Sequence, residues 1–392
     1  MELPVKSNQS EIFTKTTWLL ISIALSAFEM LLPRIPVLPW LKPGLGNIIT
    51  ILWIIKFGAK DALLYSFLRS WIISFYFGFS FTSFALSLGG GIFSTAIMGI
   101  FWQVLGKSKT IGVIGLGMIG AFTHNIGQLF IIYFLLAHNS FVFYQIPFMC
   151  GASLIFGSTV GTLAFIFRKS LSRTTACKDV ITIQKRINSI RPSLYNCIPA
   201  FIVFLICISL IFIDSLILLS GILLVITITV QIIKGFSIKY ILFPLRFWML
   251  FLFIGIIYLF FSYGIKIGGL PFITHEGIHE TAVQFSRLWV WIESGILLSH
   301  FNFHLFFFHF LRIIFPSHSS TLSAGIVTMD LFPEVIQMTK SNNIVMKFNF
   351  FRNPFSSFGM IFEYFLTHIE KIILNYLLSK HEREEPFVKG NN

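Results

Sequence analysis

The chain has 392 residues, of which 55% are apolar and only 11% are charged, whereas a soluble domain carries about 25% charged residues. With a mean hydropathy of +0.82, it has too few charges to coat a water-facing surface. That excludes a soluble enzyme, a disordered chain and a nucleic-acid binder working from solution, and it predicts an all-α polytopic membrane protein. The net charge of +13 then reads as basic loops on the cytoplasmic side of the cell (inner) membrane.

A spanning helix needs about 20 mostly apolar residues. The first half offers spans near 17–32, 47–57, 61–78, 82–105, 111–137 and 142–167. The second of these is short and reads as a half-helix or as running on into the third. The first sixteen residues hold Glu2, Lys6, Glu11 and Lys15 with no cleavage-type site, so the first run is expected to be retained. Between Arg168 and Arg191 stand seven basic residues (Arg168, Lys169, Arg173, Lys178, Lys185, Arg186, Arg191) against Asp179, the pattern of a cytoplasmic linker. Six crossings with both this linker and the N-terminus inside put Lys56, Lys60, Lys107 and Lys109 in inner loops. Only Arg34 and Lys42 then fall outside, as the positive-inside rule requires.

The predicted organisation is a six-span domain over 1–167, a basic linker over 168–195, a second helical membrane domain over 196–380 and a polar tail over 381–392. In the second domain, spans are expected near 198–213, 215–233, 240–263 and 281–299, with Asp214 in the turn between the first two. Phe301 to Phe315 and Leu322 to Lys340 have the mixed pattern of amphipathic helices on the cytoplasmic membrane face. Residues 356–380 fit either a last span or another surface helix. The four cysteines, Cys150, Cys177, Cys197 and Cys207, form no Cys-x-x-Cys pair.

Ionisable and amide side chains inside spans are costly and usually face a cavity or a partner. In the first half these are Glu29, Asn47, Arg69, Gln103, His124, Asn125 and Gln128. The densest cluster is Thr123-His124-Asn125-Ile126-Gly127-Gln128, where His124 and Gln128 share a helix face. The same cluster equally suits an interhelical bond that fixes packing. Gly44-Leu45-Gly46-Asn47 opens the second span, so its helix N-terminus is placed to meet an anion or polar head group. Gly89-Gly90-Gly91 is expected to break the fourth span. The candidate substrate-binding set is therefore His124, Asn125 and Gln128, with Asn47, Arg69, Gly89, Gly90 and Gly91 as second choices. Ser22 and Ser26 form a small-xxx-small face suited to close helix packing.

Two stretches resemble catalytic motifs. Gly106-Lys107-Ser108 ends like a phosphate-binding loop, but Phe101 stands where the loop needs glycine, so no ATP-hydrolysing site is expected in this chain. His275-Glu276-Gly277-Ile278-His279 matches the zinc-peptidase pattern, with Gly277 inside the would-be helix and Gly268, Gly269 and Pro271 just upstream. His300, His304 and His309 read as part of an aromatic surface helix. The expectation is of no catalytic residue, no metal and no cofactor.

Residues 29 to 167 resemble the Gx transporter family, also labelled heptaprenyl diphosphate synthase component I. The resemblance is carried by Glu29-Met-Leu-Leu-Pro33-Arg-Ile-Pro36, Lys42-Pro-Gly-Leu-Gly-Asn-Ile-Ile-Thr50 and Asp61-Ala-Leu-Leu-Tyr-Ser-Phe-Leu-Arg69. Ser87-Leu-Gly-Gly-Gly91 and Gly120-Ala-Phe-Thr-His-Asn-Ile-Gly-Gln128 continue it. The family is similar to substrate-binding subunits of energy-coupling factor (ECF) transporters, which implies six helices around a pocket for a small molecule. Residues 196 to about 340 resemble the transmembrane coupling subunit of those transporters through Ile273-Thr-His-Glu-Gly277, Arg287-Leu288 and Glu293-Ser-Gly-Ile-Leu-Leu298. That turn absorbs Glu276 and Gly277 without zinc. Where such subunits carry an Ala-Arg-Gly-type motif, this chain has Met338-Thr-Lys-Ser-Asn342. The resemblance implies separate ABC-type ATPase partners and contact with membrane lipid, or, under the family's other label, a prenyl synthase partner; no nucleic-acid partner is expected. No Asp-Asp-x-x-Asp motif is present, so prenyl transfer by this chain alone is not expected.

Overall fold

In lipid, each backbone N–H and C=O must be bonded within the protein, so the apolar runs fold as helices. In the first half of this computed structural model these are α1 (Val5–Met30), α2 (Asn47–Phe57), α3 (Ala59–Tyr76), α4 (Phe81–Phe101), α5 (Val113–Ile132) and α6 (Ile146–Leu171). The second half adds α7 (Leu194–Ser209), α8 (Leu216–Lys234), α9 (Trp248–Phe260), α10 (His275–His300) and α11 (Ser319–Ser341). Described are residues 5–30, 44–76, 81–106, 111–137, 140–171, 194–260, 264–267, 273–301, 307–308, 310–311, 314–341, 366–369 and 371–373. Several sequence expectations lie outside these residues: the linker over 172–193, the tail, most of 356–380, the Pro33–Pro36 turn, Lys42, Lys107 to Lys109, Gly268, Gly269, Pro271, His304, His309 and Arg312. No strand occurs among the described residues; an isolated antiparallel bridge joins Lys266 to Thr274.

The fold is all-α and polytopic, with five helical stretches long and apolar enough to cross a membrane: Phe81–Gly106, Val113–Leu136, Ser140–Arg168, Leu216–Lys234 and Ile238–Phe260. Their outer faces are apolar, with Ile155, Phe165, Ile217, Leu224 and Ile232 all exposed. The helices α1, α3 and α10 instead carry buried charges (Lys15, Asp61, Arg69, Arg287, Glu293) and turn them onto neighbouring helices.

Helix α2 is eleven residues long, the half-helix that its length suggested. It stops at Gly58, whose φ of 88° lies in the left-handed region that glycine enters without strain. The chain reverses there at once into α3. Small residues set the closest packing: α5 meets α6 where a Cβ on Gly117 would lie 2.5 Å from the Gly157 carbonyl oxygen, and one on Gly161 would lie 2.6 Å from Ile114 Cα. Gly157-x-x-x-Gly161 is thus a small-xxx-small contact face.

Helices α1 to α6 pack on one another, and α10 gathers α7, α8 and α9. Arg287 donates to Ile213 O at 2.7 Å and to Asp214 Oδ1 at 2.9 Å. Glu293 accepts from Thr227 Oγ1 at 2.5 Å and Trp289 Nε1 at 3.1 Å. The two halves touch through α10 against α4 and α3 and through Tyr258, whose hydroxyl donates to Leu136 O at 2.9 Å.

The expectation of a surface helix over Leu322 to Lys340 is corrected. Helix α11 packs on α1 and α3 of the first half, and Leu322, Ala324, Ile326 and Leu331 are fully buried there. The polar stripe that looked water-facing meets a buried charge cluster instead. Lys15, 3% exposed, lies 2.6 Å from Asp61 Oδ2 and 2.7 Å from Glu11 Oε1, and it donates to Ser320 Oγ at 3.0 Å and Thr321 Oγ1 at 2.8 Å. Asp61 Oδ1 also accepts from Thr321 Oγ1 at 2.7 Å and faces His318 Nδ1 at 3.0 Å. Part of the preceding aromatic segment packs inward too, with Phe307 stacked on Trp71 at 4.3 Å.

Removing one partner of a buried ion pair leaves the other charge uncompensated and costs about 3–5 kcal/mol. Lys15→Met is therefore expected to lower the unfolding midpoint of the full chain sharply. Asp61→Leu added to Lys15→Met is expected to recover part of that loss in the same thermal melt.

Candidate functional site

The interior of the first bundle starts at the N-terminus of α2, which is buried among other helices. Asn47 N and Ile48 N bond back to Gly44 O at 2.8 Å and Leu45 O at 3.2 Å, so the turn before α2 runs straight into the helix. Glu29, at the end of α1 and 8% exposed, holds that turn: Oε1 accepts from Gly44 N at 2.8 Å and Oε2 from Leu45 N at 3.1 Å. The carboxylate thus fastens the turn that leads into α2.

Arg69 on α3 braces the same end. Its Nη2 donates to Asn47 Oδ1 at 3.1 Å and its Nη1 to Thr50 Oγ1 at 3.2 Å. Gly46 is needed beside it, because a Cβ there would lie 2.8 Å from Nη1 and 2.5 Å from Ser26 Oγ. Ser22 donates to Gly46 O at 3.4 Å and accepts from the Tyr65 hydroxyl. The Ser22/Ser26 face therefore docks α1 onto α2 within the first half.

A small cavity lies between α2, α4, α5 and α6, lined among others by Asn47, Met98, Gly120, His124, Asn125 and Ser153. Its volume of ≈ 10 Å³ is about the room that one water needs, so anything larger enters only as the helices part. Asn125 Nδ2 donates to Ser153 Oγ at 3.0 Å, tying α5 to α6. Gln128 is buried, and its Oε1 has no hydrogen-bond partner among the described residues.

The expected break at Gly89-Gly90-Gly91 is corrected: α4 runs through all three glycines. Gly89 and Gly90 form a notch into which α5 fits, and Gly91 faces α3. A Cβ on Gly90 would lie 2.9 Å from both His124 Cε1 and Gln128 Cγ, one on Gly89 would lie 2.4 Å from Ile131 Cγ1, and one on Gly91 would lie 3.9 Å from Arg69 Nη2. Bonding within the helix continues because glycine costs a helix only about 1 kcal/mol against alanine, and the tight contact with α5 offsets that cost.

Asn47, His124 and Asn125 thus share the cavity wall, Gln128 and Gly90 stand behind it, and Arg69 reaches it through Asn47. Gln103 is exposed on the outside of the bundle and belongs elsewhere. Sequence reasoning missed Thr50 and Ser153; a lone hydroxyl in a span gives no signal until its partner is known. In the second half, Thr274 caps α10 by accepting from Gly277 N at 3.0 Å, and Glu276 Oε2 accepts from Ile265 N at 2.8 Å. His275 and His279 are exposed, and no group of three His, Cys, Asp or Glu suited to a metal occurs among the described residues.

Gly90→Val is expected to push His124 and Gln128 off α4 while the chain stays helical by circular dichroism, with a lowered unfolding midpoint. Glu29→Ala leaves Gly44 N and Leu45 N without their acceptors and is expected to cost about 1–3 kcal/mol in the same melt.

No curated protein and no solved structure matches the chain. Residues 19–167, which contain every candidate site residue named above, match the family model described as heptaprenyl diphosphate synthase component I.

Proposed function

We propose that this membrane protein is a transporter subunit, with an ECF-type substrate-binding domain and a coupling domain fused in one chain. The first half takes up a small molecule, and separate ABC-type ATPases supply the energy. The observation that carries this reading is the wall of Asn47, His124, Asn125 and Ser153 around a cavity inside a bundle whose outer surface is apolar. Polar side chains held within a membrane bundle usually mark a substrate path, and a ligand site typically combines apolar walls with a few converging polar groups. Buried Gln128 Oε1 supports the reading as a carbonyl still open to a ligand donor.

Substrate binding parts α5 from α2 and α6, because the closed cavity holds only about a water's volume. Helix α11 supports the coupling role: it is a second-half element fastened to the first half through Lys15 and Asp61. A shift in the first bundle therefore reaches the second half through a rigid contact. In this arrangement the N-terminus and α11 face the cytoplasm of the inner membrane.

The family description favours a second reading, a membrane accessory subunit of a polyprenyl diphosphate synthase. One experiment separates the two. The tagged chain is purified in mild detergent from its native host, and its partners and retained small molecules are identified by mass spectrometry. A pair of nucleotide-binding ATPases is the expected result; a soluble prenyl synthase without ATPases would select the second reading. His124→Ala with Gln128→Ala is expected to deplete the retained small molecule at least tenfold without changing the partners, and an unchanged amount would remove these residues from the site.

A further inference from the structure

Arg69 is 5% exposed, its bonds run to the neutral acceptors Thr50 and Asn47, and among the described residues no carboxylate forms an ion pair with it. The sequence explains why. Before Asp179 the chain has four acids: Glu2, Glu11, Glu29 and Asp61. Asp61 and Glu11 are held by Lys15, and Glu2 lies outside the described residues. Glu29 has both oxygens on Gly44 N and Leu45 N, in the turn next to the positive end of the α2 dipole. Among the described residues of the first half, one guanidinium and one helix N-terminus thus stand against a single carboxylate, which leaves a positive surplus. The connecting residues 31–43 add Arg34 and Lys42 and no acid.

We propose that the ligand of this site carries an oxyanion, a carboxylate or a phosphate, and that Arg69 is its counter-charge. The proposal rests on the binding reading above and names the chemical class of the ligand. The planar guanidinium suits paired oxyanion oxygens. Nη1 and Nη2 give up Thr50 and Asn47 to receive them, and Asn47, freed from Arg69, already lines the cavity beside His124. Gly91 lies beside Nη2, where a Cβ would make an ordinary contact at 3.9 Å. A buried charge with only neutral partners is costly in a membrane bundle, and an incoming anion removes that cost.

The test uses the full chain in lipid nanodiscs, with inorganic phosphate, inorganic diphosphate and acetate as probes and chloride as reference, all at one ionic strength. The readouts are the unfolding midpoint and tryptophan fluorescence, since Trp53 stacks on Tyr65 at 4.2 Å and Arg69 lies over that ring. A saturable response to at least one probe beyond chloride is expected, and the responding probe tells carboxylate from phosphate. Arg69→Gln is expected to weaken it about tenfold or more, and Arg69→Lys to keep part of it. Glu29→Gln is expected to tighten it, a gain that misfolding does not imitate. Responses no larger than chloride's, or an unchanged response in Arg69→Gln, would overturn the proposal. If ATPases and a small molecule retained through His124 and Gln128 are still recovered, the anion assignment falls alone. If they too are missing, the binding reading falls with it.

Discussion

The start of α2 is the constraint around which the first bundle is arranged. A turn buried inside a membrane protein has backbone N–H groups with no water to bond. The chain answers with Glu29 from α1 on Gly44 N and Leu45 N of the turn before α2, and with Arg69 from α3 across the side chains of Asn47 and Thr50. Both long side chains reach the same end, so α1 and α3 are fixed relative to α2. The rest follows from that: Gly46 is small where the guanidinium passes, and Asn47 is turned toward the cavity.

The other end of α1 and α3 is organised by a second charge problem. Lys15 is surrounded by two carboxylates and two hydroxyls, one hydroxyl pair coming from α11 some three hundred residues later. Every charge there has a partner. Near Arg69 the count is different, with one cation, one helix N-terminus and one carboxylate that is already engaged. The two clusters therefore have different characters, the first closed on itself and the second with Arg69 bonded to neutral acceptors.

Packing links these charges to the site. The notch at Gly89 and Gly90 admits His124, Gln128 and Ile131 of α5, and the small residues Gly117, Gly157 and Gly161 bring α5 against α6. Close backbone approach at both faces leaves a cavity of about one water. Its opening requires α5 to move as a unit, and the Asn125–Ser153 bond is among the contacts such a motion breaks.

Composition and apolar run lengths by themselves determined a helical membrane protein and placed helices close to where they lie. The half-helix over 47–57 was readable because eleven residues cannot cross a bilayer. The intramembrane polar residues were readable too, since lipid tolerates few of them, and Asn47, His124 and Asn125 do meet at one cavity. Tertiary structure alone decided the partners. Glu29 reads in the sequence only as an ionisable group inside a span, and only the position of Gly44 and Leu45 supplies its partners. Three glycines in a span suggest a broken helix until Gln128 and His124 are seen filling the notch. Ser320 and Thr321 carry no mark of their partner Lys15, because hydroxyls that face water and hydroxyls that face a buried lysine leave the same pattern along a helix. Local sequence records which groups need a partner; which partner they get depends on contacts between residues hundreds of positions apart, and the periodicity of a single helix does not contain that information.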